Sequence, residues 1–126
     1  MSSKNEILKC AKTGLTLEIL SESKCCDISC CGEPLAVMQE KTKDAGMEKH
    51  LPVLKKGAAG VRIEVGSIPH PMEDKHFIEW IEVINGDYVN RKYLKPGQKP
   101  EAEFYVPEKP GLVVRAYCNI HGLWRS

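Results

Sequence analysis

An excess of either charge is missing from this chain: 18 lysines and arginines stand against 17 aspartates and glutamates. Nucleic-acid binding draws on neutralised phosphates and needs a basic surplus, so this balance argues against that class. It leaves room for a small basic patch around a site. Also missing is any apolar run long enough to cross a bilayer. The opening residues, MSSKNEILKC, lack the apolar stretch of a secretory signal. The reading is therefore a cytoplasmic protein, with neither a membrane nor a nucleic acid as partner. No segment has a convincing amphipathic helical pattern, and there is no internal repeat or low-complexity tract.

What is present is a moderately apolar chain, 42% hydrophobic over 126 residues, enough for a real core in one domain with a small module attached. Its texture is β. VRIEV alternates strictly and places Val61, Ile63 and Val65 on one face. HFIEWIEVI, DYVNRKYL, AEFYV and LVVRAY follow, separated by the turn chemistries INGD, KPGQKP and EKPG. Short strands punctuated by glycine and proline predict an antiparallel sandwich over residues 39–126. Residues 1–38 form a smaller module, in which EILKC and LTLEIL are extended segments flanking the turn AKTG. A unit of that size needs a metal, a disulfide or a partner to stand. Residues 39–49 are polar and read as a linker with an exposed loop.

Cysteine and histidine are unevenly spread. Cys10, Cys25, Cys26, Cys30 and Cys31 lie in the first quarter, whereas Cys118 stands far from them. The histidines, His50, His70, His76 and His121, all lie beyond residue 45. In a reducing compartment such cysteines are more often metal ligands than disulfides. The chain thus holds a sulfur-only inventory and a mixed one.

The mixed inventory sits at strand edges and loops, where a rigid sandwich presents functional groups. It comprises KHLP at His50, PHPMEDKHF at His70 and His76, and CNIH at Cys118 and His121. A single histidine near a turn is ordinarily a surface residue, and a single cysteine near a strand a small core residue. Here every histidine falls at a loop edge of one domain, and that domain's one cysteine lies three residues from His121. Structural zinc takes four ligands, so five is one too many. Blue copper uses two histidines, a cysteine and a weak axial methionine, and no methionine follows His121. Iron accepts five ligands and keeps a sixth position for a small oxygen species, with a thiolate pushing electron density onto the metal.

EKH at 48–50, HPMEDKH at 70–76 and CNIHGLW at 118–124 resemble the desulfoferrodoxin and neelaredoxin family of superoxide reductases. GSIPHPM, IEWIEV, LKPGQKPEAEF and CCGEPL also resemble it. The resemblance implies a seven-stranded immunoglobulin-like sandwich preceded by a desulforedoxin-like module, and a homodimer. It implies one mononuclear iron on His50, His70, His76 and His121 with Cys118 as axial ligand. Glu48 matches the glutamate that fills the sixth position of the oxidised metal, and Lys49 the lysine beside the open site. The implied reaction is one-electron reduction of superoxide to hydrogen peroxide, with rubredoxin or a similar protein as electron donor. The competing class is a non-catalytic, cupredoxin-like electron-transfer or metal-binding sandwich, against which four histidines argue.

The chain departs from the family in its first quarter. The family's N-terminal iron rests on Cys-x-x-Cys and a later Cys-Cys pair, but CAKTG offers Cys10 and then Thr13. Cys30 and Cys31 match the later pair. Cys25 or Cys26 would have to supply a fourth thiolate; otherwise the cysteines are free or oxidised. The expectation is about one iron per chain, in the β domain, because one ligand set is complete.

Overall fold

In a computed structural model, residues 3–24, 27–43 and 49–126 are described. The chain divides into two compact units, Met1–Gln39 and Glu40–Ser126. Among the described residues there is no helix. No helix is long and apolar enough to cross a membrane.

The first unit is built from very short strands. β1 (Ile7–Lys9) pairs antiparallel with β2 (Thr16–Glu18), matching Leu8 with Leu17. The turn between them is closed by Gly14 N–H donating to the Cys10 carbonyl at 2.8 Å. On its other side β1 pairs with β5 (Ala36–Val37). A second hairpin joins β3 (Ser29–Cys30) to β4 (Glu33–Pro34). Ile7, Leu8 and Cys10 are buried.

The second unit is a sandwich of seven strands. They are β6 (Pro52–Lys56), β7 (Val61–Val65), β8 (Ile78–Asn85), β9 (Tyr88–Tyr93), β10 (Glu101–Phe104), β11 (Val113–Cys118) and β12 (Gly122–Arg125). One sheet runs β10-β7-β6 and the other β12-β11-β8-β9, with antiparallel pairing throughout. This is an immunoglobulin-like arrangement. The period-two pattern sorts the faces. Val61, Ile63 and Val65 face inward, against Ile81 and Val83 of β8 and Val114 and Ala116 of β11. Arg62 and Glu64 alternate with them and pair at 3.0 Å.

The four-stranded sheet also buries polar groups on its other face. Register sets Arg91, Glu82, Arg115 and Arg125 in one row across four strands. Glu82 is fully buried and accepts from Arg91 Nε at 2.8 Å and Arg115 Nε at 2.6 Å. Glu40 bridges Arg115 at 3.1 Å and Arg125 at 3.3 Å. A buried carboxylate keeps its charge only when so surrounded. Here the structure differs, at residues 40 and 41, from the expectation of a linker with an exposed loop over 39–49. Glu40 is bound by two arginines, and Lys41 exchanges backbone hydrogen bonds with β12 through Leu123 O and Arg125 N, each 2.9 Å long.

Replacing Arg115 by methionine should leave the buried Glu82 carboxylate with Arg91 alone, its Oε2 unpaired, and cost roughly 3 kcal/mol of unfolding free energy. Changing Glu82 and Arg115 together to leucine should cost less than the single change. Urea denaturation of the metal-free proteins checks both.

Candidate metal centre

Each element delivers its donor for a local reason. Cys118 ends β11, and its register against β8 slips there: Tyr117 faces Trp80 while Cys118 faces Ile78. The skipped residue, Glu79, makes a bulge, a common device for re-aiming side chains beside active sites. The next residues, Asn119–His121, form the turn into β12, with Cys118 paired to Gly122. Gly122 has φ 84°, a left-handed conformation that other residues adopt at a cost. His121 N–H then points at the Cys118 sulfur, 3.4 Å away.

His70 and His76 come from the connection between β7 and β8. His70 N–H donates to Val65 O at 2.9 Å, with prolines on either side restricting the backbone. Glu73 and His76 exchange backbone hydrogen bonds of 2.9 and 3.1 Å, so His76 closes a tight turn. His50 lies just before β6. Its ring stacks on Trp124, with centroids 4.5 Å apart and planes 16° from parallel.

The five donor groups meet. One ligand atom from each of His50, His70, His76, Cys118 and His121 lies within 4.8 Å of all the others. Among the described residues this is the one such gathering of metal-donor side chains. The orientations suit a cation. His70 Nδ1 is 2.7 Å from Pro71 O and so carries the proton, which leaves Nε2 with its lone pair. The Nε2 atoms of His70 and His76 are buried without a hydrogen-bond partner. His121 turns Nδ1 inward, 3.0 Å from His50 Nε2 and 3.8 Å from Cys118 Sγ. Buried, unpartnered nitrogens facing one point are costly unless an ion satisfies them. The set therefore fits a transition metal.

Burial dominates the ionisation of the donors. His70 is held down to about 4, first by desolvation. His76 is lowered for the same leading reason, with His121 adding to it. Both stay neutral at physiological pH, as ligation requires. Burial pushes the Cys118 thiol above its ordinary value. A cleft of about 250 Å³ opens onto the cluster, lined by Lys49, His50, His70, Pro71, His76 and His121. Cys118 is fully buried and does not line it.

Of the other residues singled out from the sequence, Lys49 lines this cleft, while Glu48, Cys25 and Cys26 lie outside the described residues. Cys10, Cys30 and Cys31 belong to the first unit and are free thiols. Met72, a neighbour of His70, accepts Ile78 N–H on its sulfur at 3.4 Å.

Three contributors escape motif reading. Asn119 clamps the two ligand loops: it accepts from Phe77 N–H and donates to Lys75 O, each at 3.0 Å. Lys41 donates to His121 O at 2.8 Å. Its ammonium also lies 5.2 Å from the Trp124 ring centroid. A polar asparagine between two ligands was the one available signal; Lys41 and Trp124 act through long-range pairing.

The comparisons agree with this geometry. Residues 42–126 match a family model described as desulfoferrodoxin. The chain is 46% identical to a desulfoferrodoxin of Nitratidesulfovibrio vulgaris, over 100% of its own length and 98% of that protein. Its fold is similar to a superoxide reductase structure from Treponema pallidum, with a TM-score of 0.75, 23% identity and 96% coverage of each chain. A superoxide reductase (1Fe-SOR) from Giardia intestinalis shares 33% identity at a TM-score of 0.54, covering 63% of this chain and 95% of that one.

The raised Cys118 pKa means that a bound metal must displace a proton from sulfur. Ferrous iron uptake by the metal-free protein should release one proton from this thiol. Affinity should climb about tenfold per pH unit between pH about 6.5 and 8. Chelator competition across that range measures the slope, and a flat profile would show that sulfur does not ligate.

Proposed function

The chain belongs to the desulfoferrodoxin family, and from that premise we propose that it is a superoxide reductase. One observation carries the reading: four histidines line an open cleft, while the cysteine that completes their cluster is buried away from it. The proposed iron ligands are His50, His70, His76, His121 and Cys118. Bound there, iron supplies the single electron that turns superoxide, with two protons, into hydrogen peroxide. No second reading is favoured, since four histidines exceed the two that a cupredoxin-like site uses.

The chain's own residues do the rest. Lys49 lines the cleft, and its charge bears on His76. A cation there draws in a small anion and raises its encounter rate, although the whole chain is nearly neutral. His70 and His76, whose pKa values burial lowers, would offer their lone pairs to the metal and do not compete for the incoming protons. Those protons come through water in the open cleft. Lys49 Nζ would offer a hydrogen-bond donor to an anion held in the cleft. His121 N–H, directed at Cys118 Sγ, tempers the negative charge on the sulfur. Glu48 is proposed as a further carboxylate that would serve as a ligand to the oxidised metal.

The remaining parts of the reading are proposals of the same kind. Residues 1–38 are a desulforedoxin-like module with an altered cysteine set, and residues 39–126 the iron domain. The protein works in the cytoplasm as a homodimer, with rubredoxin or a similar small redox protein restoring the ferrous state.

Cys118→Ser should leave a folded β unit without reductase turnover, because a serine hydroxyl cannot supply thiolate donation. Normal turnover with superoxide in that variant would sink the assignment of Cys118 as a metal ligand.

Lys49→Ala should slow the encounter and keep the iron. Salt screens an exposed charge over about 8 Å at physiological ionic strength. The wild-type rate should thus fall more steeply with added salt than the variant's. Pulse-generated superoxide at several salt concentrations measures both, and equal slopes would remove Lys49 from the steering role.

A further inference from the structure

The sulfur-only inventory is left over from this function. The fold family implies a tetrathiolate iron in the first unit, and the residues here do not fit one. The β1–β2 turn holds Cys10 and Thr13, and the β3–β4 hairpin brings up Cys30. Where a thiolate is needed, Thr13 Oγ1 stands 3.7 Å from Cys30 Sγ and accepts Leu15 N–H at 3.2 Å. A hydroxyl so placed adds no negative charge, and the three described thiols leave a tetrahedral site one ligand short.

What the two loops do achieve is to bring two thiols together. Cys10 Sγ lies 4.0 Å from the Cys30 carbonyl oxygen, although 20 residues separate them in sequence, so its sulfur is directed at that hairpin. The two thiols are close enough for each to shift the other's pKa. Cys31 lies to the outside, exposed, with its sulfur 3.9 Å from that of Cys30. Both partner loops are anchored by short backbone hydrogen bonds, Cys10 N–H to Leu15 O and Leu35 N–H to Ile28 O, each 2.8 Å.

We propose that Cys10 and Cys30 form a reversible disulfide in place of the lost metal, with hydrogen peroxide as the oxidant. The oxidant is the product assigned above to the mixed site, and to that extent the inference rests on that reading. The chemistry balances in two steps. One thiolate of the pair attacks a peroxide oxygen, an S–O bond forms as O–O breaks, and the departing hydroxide takes a proton to become water. The second thiol attacks the resulting sulfenic sulfur, S–S forms as S–O breaks, and the hydroxyl leaves as a second water. Two thiols are oxidised by two electrons, and one peroxide is reduced to two waters. Cys30 is the more accessible sulfur of the pair, Cys10 being buried, while the Cys30 thiol and then Thr13 draw the Cys10 pKa down to about 7. The product staples a unit too small to hold a large core.

The test uses the iron-loaded full chain, reduced, desalted and treated with stoichiometric hydrogen peroxide. Two thiols per chain should disappear, a Cys10–Cys30 linked peptide should appear by mass spectrometry, and dithiothreitol should restore both thiols. Cys30→Ser should abolish that linkage. Thr13→Cys should instead gain an iron with a thiolate-only spectrum and resist peroxide. Unchanged thiols, a linkage between other cysteines, or a thiolate-only iron in the wild type would overturn the proposal. So would a Thr13→Cys variant that binds no additional iron. The Cys118→Ser variant should form the same disulfide with added peroxide. Disulfide formation without reductase turnover in the wild type would therefore defeat the reductase reading alone. Turnover without disulfide would defeat this one alone.

Discussion

Everything at the mixed site depends on the way β11 turns into β12 while remaining paired with β8. That pairing puts Cys118 inside the sandwich and brings His121 back over it one turn later. Asn119 then ties the turn to Lys75 and Phe77, the residues on either side of His76. Three of the five donors are thereby fixed relative to one another by backbone and amide hydrogen bonds, before any ion arrives. A preorganised donor set spends little free energy on ordering when it binds.

Electrostatics divides the site into two halves. The buried side holds Cys118 and His70, where desolvation disfavours charge. The open side holds His121 and Lys49, next to solvent. A metal placed between them sees a soft donor from the protein interior and a path for small anions from the cleft. The same principle operates on a larger scale around Glu82, whose buried charge is tolerated because two arginines surround it.

Much of this was legible in the residues. The strict alternation of VRIEV announced β7, and the histidines with CNIH announced the metal donors. What escaped was non-local or local in an unexpected way. β12 is a short GLWR segment that pairs not only with the adjacent β11 but also with Lys41, a partner distant in sequence. The polar stretch after residue 39 looked like a linker with an exposed loop because Glu40 and Lys41 find their partners on β11 and β12, some 75 to 85 residues away. Strand β8 begins at Ile78 and not at His76, because His76 is consumed by its turn with Glu73 and Phe77 N–H goes to Asn119. No periodicity in the sequence carries such information.

The stacking of Trp124 on His50 has an optical consequence. The chain has two tryptophans, and the other, Trp80, is stacked on Tyr117 with ring centroids 5.6 Å apart. Trp124 alone lies flat against a ligand ring. Its emission is thus coupled to whatever occupies the cluster, and a coloured or paramagnetic ion next to it drains the excited state. The fold carries its own fluorophore for the site: intrinsic fluorescence reports the filling and emptying of the centre without any added dye.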